Sequence, residues 1–365
     1  GAPVVGTERR QVFDIPKIEV KVTEHRLVSV RCDCGYISTA TPPAGVVSPV
    51  QYGPNVTAIV VYLYCGQFLS KKRTAEALAQ LFGTPLSAGT VAAMTKRMAA
   101  EITESGFCDL VKAGPLRAPV VHFDETGMRV AARLHWVHSA STDRFSLITV
   151  HERRGVKGIE HAGILPRYLG VAVHDAWAPY DTYGQATRAL CAAHALRELV
   201  AVTETAADEQ TAAMAERVIE ALRELKAAAE EARDAGRDAI DAQAKTTGLD
   251  GLRAAILAEV APTAERSTKR QTTHHALFRR LRDRFDEYTR WVRHLYLPFD
   301  NNAAEREIRM IKVRQKVSGF LRTQHGARQF ATIRSYLATA VKHDIRFIDA
   351  LVHAAEGKPW LPSAA

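Results

Sequence analysis

Three carboxylates stand out by their settings. Asp124 closes the run Pro119-Val-Val-His-Phe-Asp124, and Asp175 closes Gly170-Val-Ala-Val-His-Asp175. Short runs of Val, Ala and Phe read as buried central strands. In open α/β sheets, ligands collect at the carboxyl ends of strands. Two adjacent strands ending in Asp would set two carboxylates side by side. Such a pair repels itself, and one member takes a proton unless a cation lies between them. Hard oxygen ligands with open positions suit Mg²⁺ or Mn²⁺. Each Asp alone also makes a good turn former or helix N-cap, so the pair carries more than either member.

The third acid is Glu305, in Asp300-Asn-Asn-Ala-Ala-Glu-Arg-Glu-Ile-Arg309. With Asn302 as helix cap, Glu305 takes the third helical position. There it either closes a capping box or faces the sheet as a third metal ligand. Arg309, Lys312 and Lys316 follow on roughly one helix face, and Arg306, Arg314, Arg322, Arg328 and Arg334 add further cations. A basic surface beside carboxylates fits phosphodiester chemistry, in which cations hold phosphates and metals activate a nucleophile. A plain solvated helix face is the alternative.

These residues need a scaffold. Residues 113–199 alternate strand and helix patterns, with further strands at Leu134–Ser139, Arg144–Val150 and Arg188–Cys191, and helices at Gly158–Leu169 and His194–Leu199. That order suggests an α/β sheet with at least one parallel pair. Residues 54–105 look all-helical: Pro54–Leu69, Lys71–Phe82, a Gly83-Thr-Pro-Leu turn, and a helix capped by Ser87. The last three make a helix-turn-helix pattern, or simply a helical hairpin. Residues 200–290 are rich in Ala, Glu and Arg, with Met214, Val218, Leu222, Leu225 and Ala229 at helical spacing. They read as a helical insertion interrupted at Gly236, Gly248 and Pro262. A last helix is expected over about 327–341. Near the start, Val12-Phe-Asp-Ile-Pro16 and Ile18-Glu-Val-Lys-Val-Thr23 alternate like short strands.

The chain has 365 residues, ample for a self-sufficient core, and a net charge of +9 that suits a polyanionic partner. Five cysteines, an odd number at scattered spacing, argue against a disulfide framework and point to a reducing, cytoplasmic compartment. The longest apolar run, Ala58–Cys65, is too short to span a bilayer, so no membrane partner is expected. No secretory leader is visible.

Four motifs occur in order: His122-Phe-Asp-Glu-Thr-Gly127, Val173-His-Asp-Ala-Trp-Ala-Pro-Tyr180, Cys191-Ala-Ala-His194 and Asp300–Arg309. Together, from about Arg10 onward, the chain resembles the insertion-sequence 66 family of DDE transposases. The resemblance implies a ribonuclease-H-like mixed-sheet core interrupted by a long helical insertion and preceded by a helical N-terminal region. It implies that Asp124, Asp175 and Glu305 are the catalytic, metal-binding carboxylates for two Mg²⁺ or Mn²⁺ ions. Divalent-metal-dependent cleavage and strand transfer of an insertion-sequence element would follow, in a bacterial cytoplasm and at the nucleoid. DNA partners would be met by Arg306, Arg309, Lys312, Lys316, Arg322 and His194. A homo-oligomer and accessory proteins of the same element are further implied partners. A related nuclease that cuts without joining, and a silent DNA-binding protein, are the alternatives.

The implied division is 1–50, remnant of a zinc module and linker; 51–112, a helix-turn-helix-like DNA-binding region; 113–199 and 291–365, the two parts of the core; and 200–290, the insertion. Two features depart from or extend the family pattern. Only Cys32 and Cys34 of two cysteine pairs are present, the chain starting at Gly1 without Met. A lone C-x-C cannot supply four ligands, so zinc is not expected to bind there. Cys191 and His194 match a C-x-x-H motif and make at most half a zinc site. They are a buried Cys and a helix-start His, or place His194 near the active site. Trp177 and Tyr180 could stack on a base or pack in the core.

Overall fold

A computed structural model describes residues 1–16, 18–206, 208–260 and 269–363. The first 28 positions carry no regular element in their described residues, so the strands expected near Val12 and Ile18 do not form. Their apolar side chains Val12, Phe13 and Val22 are exposed, with no partner strand or core beneath them to reward pairing. The first strands are β1 (Ser29–Arg31) and β2 (Ile37–Thr39), a short antiparallel hairpin carrying Cys32 and Cys34 at its tip.

Four helices follow: α1 (Pro54–Val61), α2 (Lys71–Phe82), α3 (Ala88–Glu104) and α4 (Phe107–Arg117). The first is shorter than expected, because Tyr62–Gly66 continue it as a wider π-type turn. Helix α2 starts where Ser70 Oγ accepts the N–H of Arg73 and ends at Gly83, whose φ of 61° suits a residue without Cβ. Ser87 caps α3 in the same way, by accepting from the N–H of Thr90. Val91, Met94, Met98 and Ile102 then fall on one buried stripe.

The central sheet has five strands: β3 (Val120–Val130), β4 (Arg133–Ser141), β5 (Ser146–His151), β6 (Val171–His174) and β7 (Thr187–Leu190). Their order is β5-β4-β3-β6-β7. The pairs β3–β4 and β4–β5 are antiparallel, whereas β6 runs parallel to both β3 and β7. Strand β3 continues six residues past Asp124, contrary to the expectation that the strand stops there. The extension pairs with β4 from Glu125↔His138 to Val130↔Arg133, and its end is also bridged by Leu321, whose N–H donates to the carbonyl of Arg129 at 3.2 Å. Ala131 and Ala132 turn the hairpin with φ of 49° and 63°, in the left-handed region that two-residue hairpin turns require. The helix after β5, α5 (Val156–Ala162), is shorter than the Gly158–Leu169 reading because Gly163, with φ of 76°, terminates it.

Helix α6 (Ala192–Thr205) leaves β7 and leads into α7 (Glu209–Asp234), α8 (Ala242–Val260) and α9 (Lys269–Asp283). Two short turns, α10 (Phe285–Tyr288) and α11 (Arg290–Arg293), return the chain to the sheet. The expected stripe of Met214, Val218, Leu222, Leu225 and Ala229 is buried, and its last four members share one cluster with Val171 and Val173 of β6. Gly248 does not interrupt the insertion as expected. It lies inside α8, where a Cβ would come within 2.5 Å of Leu225, so it lets α7 and α8 approach closely. Pro262 lies outside the described residues.

Helices α12 (Asn302–Ser318), α13 (Gln324–Val341) and α14 (Phe347–Ala355) complete the chain. Buried residues of α1–α4, β3–β5 and α12–α14 form one continuous apolar cluster, separate from the cluster that joins the insertion to β6 and β7. Edge strand β5 is covered by α13: Ser335 Oγ accepts from the N–H of Ile148 at 2.8 Å, and Thr339 Oγ1 from that of Ser146 at 3.1 Å. Pairing an edge in this way removes it as a template for another chain.

Candidate active site

Parallel pairing between β3 and β6 ends at His122↔Val173. Carrying that register two residues on brings Asp124 opposite Asp175, just past the last residue of β6. Alternation puts Val121 and Phe123 in the cluster of α1–α4, while Val120 packs with Val171 and Val173 on the insertion side. His122 and Asp124 share that second face. Asp124 therefore stands where β6 stops beside a strand that continues, at an opening along the edge of β3.

Each acid is locally restrained. Asp124 Oδ1 accepts from the N–H of Glu125 at 2.8 Å, and Asp175 Oδ1 from that of Trp177 at 3.0 Å. Burial pushes the Asp124 carboxyl up to about 7, and the neighbouring charges of Glu125, Asp175 and Glu305 push the same way. Glu125, which the sequence reading passed over, is buried beside it. Its Oε1 accepts from Arg154 Nη2 at 2.7 Å and Nε at 3.0 Å, and its Oε2 from the Tyr180 hydroxyl at 2.5 Å. Tyr180 is buried and stacks on His174 with ring centres 4.5 Å apart, so it is unavailable to a base. Trp177 is half-buried beneath the Arg154 guanidinium, 4.0 Å from its ring centre. Arg154 thus braces the acidic corner from the loop after β5.

Helix α12 is bolted to β3 by Asn301, which is buried. Its Nδ2 donates to the carbonyl of Phe123 at 2.8 Å, so its Oδ1 must accept, and His122 Nδ1–H donates to it at 2.9 Å. Farther along, Gln315 Nε2 donates to the carbonyl of Gly127 at 3.0 Å. The helix begins one residue earlier than expected, because Asp300 Oδ1 takes the N–H of Asn302. Glu305 is consequently the fourth helical residue, and its own N–H is bonded to the carbonyl of Asn301 at 3.1 Å. Its side chain makes no capping box. Instead Oε1 lies 3.2 Å from Arg197 Nη2 and 3.6 Å from His194 Nδ1, and Oε2 lies 3.6 Å from Arg309 Nη2.

His194 and Cys191 belong to this corner. Cys191 precedes α6 and His194 is in its first turn. The thiol, the imidazole and the Glu305 carboxylate bring ligand atoms within 4.8 Å of one another, the one such group among the described residues. Glu305 is therefore turned toward α6, while remaining in electrostatic reach of Asp124.

The cations divide in two. Arg306, Arg309, Lys312, Lys316, Arg322 and Arg328 are exposed. Arg314 and Arg334, expected to add to the basic surface, are buried and cannot reach a phosphate. Arg314 donates to the carbonyl of Gly319 at 2.9 Å and lies over Phe330; Arg334 lies over Phe68 and Phe347, 4.0 Å from Glu307. Both occupy the apolar stripes of their helices, which is the signal that could have placed them.

The five cysteines are free. Among the described residues, no helix is long and apolar enough to cross a membrane. A search of curated proteins gives no match. A family model described as Transposase IS66 family matches residues 49–329, from α1 through the Glu305 helix into α13. That span holds all four sequence motifs and more than half of the chain, and the protein belongs to the IS66 transposase family.

Proposed function

We propose that the chain is a DDE transposase with a ribonuclease-H-like core, in which Asp124, Asp175 and Glu305 are the catalytic carboxylates. The observation that carries this reading is the shared register of Asp124 and Asp175 on neighbouring parallel strands, with the Glu305 helix fastened to the same strand by Asn301. The donor set fits Mg²⁺ or Mn²⁺. It consists of carboxylate oxygens, and Asp124 is pushed toward protonation by burial and by three neighbouring acids that a divalent cation would offset. Two such ions would supply Lewis acidity toward a phosphodiester and lower the pKa of an attacking water or 3′-hydroxyl.

The protein's own residues do the rest. Asp124 and Asp175 are the fixed ligands, locked by backbone N–H groups. Glu305 is the adjustable one, on a side chain whose helix is held while its carboxylate can turn. Exposed Arg306, Arg309, Lys312, Lys316 and Arg322 hold the DNA backbone beside the acids, with His194 at the edge of the site. The helix pair α2–α3 is a second DNA-contact region in this reading. The active complex is a homo-oligomer on element ends and target DNA, with accessory proteins of the same element, in the bacterial cytoplasm and at the nucleoid.

The test is a cleavage and strand-transfer assay with uncut and, separately, pre-cut element ends, target plasmid and Mg²⁺ or Mn²⁺. Wild type should nick ends and join them. Asp124→Asn and Asp175→Asn should each lose both steps while keeping DNA affinity within a few-fold. Cleavage without joining would favour a nuclease, and activity in either variant would refute the assignment.

A further inference from the structure

We propose that Cys191, His194 and Glu305 form a binding site for a thiophilic divalent cation of the Zn²⁺ class, and that filling it withdraws Glu305 from the two aspartates. The inhibitory half rests on the transposase reading; the binding half does not.

The site is assembled by tertiary structure. Cys191 and His194 lie three residues apart at the start of α6, on one side of the helix. Glu305 comes from α12, more than 100 residues later. The backbone fixes their meeting, because the N–H of Ala192 donates at 3.0 Å to the carbonyl of Phe299, just before α12 begins. Cys191 is buried, and His194 Nδ1 is buried with no hydrogen-bond partner. A buried ring nitrogen without a partner is costly, and it points at Glu305 Oε1 from 3.6 Å, too far for a hydrogen bond. Zinc bonds of about 2.0–2.3 Å would set tetrahedral ligands roughly 3.3–3.8 Å apart; His194 Nδ1 and Glu305 Oε1 already stand at 3.6 Å, and a small side-chain adjustment would draw in the rest of a group that lies within 4.8 Å. One sulfur, one imidazole nitrogen and one carboxylate oxygen select Zn²⁺, Co²⁺ or Cd²⁺ over Mg²⁺.

A C-x-x-H pair alone is half a zinc site. Glu305 supplies the third ligand and leaves the fourth position to water. Arg197, the cation nearest to Glu305, is more than half exposed and free to swing into solvent as a metal arrives. Glu305 would then have two exclusive occupations: a hard-metal ligand beside Asp124 and Asp175, or a soft-metal ligand beside Cys191 and His194. A thiophilic ion would lock the second.

The test uses the full chain in a Cys32→Ser/Cys34→Ser background, which removes the exposed thiols. Titration with Co²⁺ without DNA should give about one equivalent with a near-ultraviolet thiolate-to-cobalt charge-transfer band. Cys191→Ala should abolish the band, and Glu305→Gln, which leaves the buried thiol in place, should weaken Co²⁺ binding at least tenfold. Thermal melts of both variants check that they are folded. Absence of the band in the background protein, or a band unchanged in either variant, overturns the site. Zn²⁺ should also inhibit Mg²⁺-dependent cleavage, with the inhibitory concentration raised at least tenfold by Cys191→Ala. Equal inhibition of both proteins overturns the regulatory half. Failure of the background protein to cleave with Mg²⁺ alone counts against the transposase reading and its inhibition together, while the Co²⁺ titration still decides the site.

Discussion

Arg197, on α6, holds Glu305, on α12, by a guanidinium nitrogen 3.2 Å from Oε1. The two residues are far apart in sequence, and their meeting ties the Glu305 carboxylate to α6, in competition with any metal held beside Asp124 and Asp175. An ion pair with so exposed a cation is worth only about 0.2–1 kcal/mol. Arg197→Ala should therefore tighten Mn²⁺ binding in the absence of DNA, by roughly two- to fivefold. Calorimetric titration measures it. Weaker Mn²⁺ binding in the variant would mean that Arg197 supports the productive position of Glu305 rather than competing with it.

Asn301 makes the opposite kind of contact, one that no alternative can replace. The residue is 1% exposed, and its carboxamide is satisfied at both ends by β3. Asn301→Ala strands the Phe123 carbonyl and the His122 N–H in a dry place, at about 1–3 kcal/mol. Denaturant unfolding should show that loss, and cleavage should fall further than stability alone explains, because the Glu305 helix loses its bolt. Asn301→Asp keeps the shape but removes the donor to Phe123, so it should not rescue either property. Full rescue by Asp would show that the bond to Phe123 is dispensable.

The two Asp-ending runs were legible because strand burial and a terminal acid are both local. So were α2 and α3, whose Ser caps and apolar stripes are written within a dozen residues. The continuation of β3 past Asp124 was not, since Asp-Glu-Thr-Gly has no apolar pattern and is held as strand by β4. Nor was the function of Asn301, which depends on partners almost 180 residues earlier. The buried arginines were legible but misread. Ala304, Ile308 and Ile311 mark the inner face of α12, and Arg314 comes next on it; Arg334 sits among Phe330, Ala331, Leu337 and Ala338 in α13. Periodicity should have outweighed residue type at both positions.

The Asp124 carboxyl, raised to about 7 from an ordinary value near 3.9, makes a prediction about stability as well as catalysis. Between those two values the folded protein holds a proton that the unfolded chain has lost, so unfolding free energy falls as pH rises through the window. Below it both states are protonated and nothing is lost. Asp124→Asn removes the charge and should stabilise the metal-free protein by about 1–3 kcal/mol at around pH 8, with little effect near pH 4. Melting in chelator across that range checks the sign. Mn²⁺ should raise the melting temperature of wild type but not of the variant. A destabilised Asp124→Asn at high pH would mean that its carboxylate is already compensated by protein groups.

Exposed and buried arginines should separate cleanly under salt. Lys312 makes no ion pair among the described residues, and Arg309 makes only the loose one with Glu305, so both are free to neutralise phosphates. Each phosphate contact removed should flatten the slope of log affinity against log salt by about 0.9 and weaken binding to all sequences alike. Lys312→Ala should give nearly the full change, and Arg309→Ala less, since part of its charge is spent on Glu305. Arg334→Ala should behave differently. Its guanidinium is enclosed by Phe68 and Phe347 and faces Glu307, which also accepts from Ser146 Oγ at 3.2 Å. Removing it leaves a buried acid and a cavity, at about 3–5 kcal/mol, and exposes no phosphate-binding surface. Filter binding from low to moderate salt, with urea unfolding on the same proteins, reads both quantities. A salt slope that falls for Arg334→Ala as it does for Lys312→Ala, in protein still folded, would place Arg334 at the DNA and overturn the partition of the cations drawn from α12 and α13.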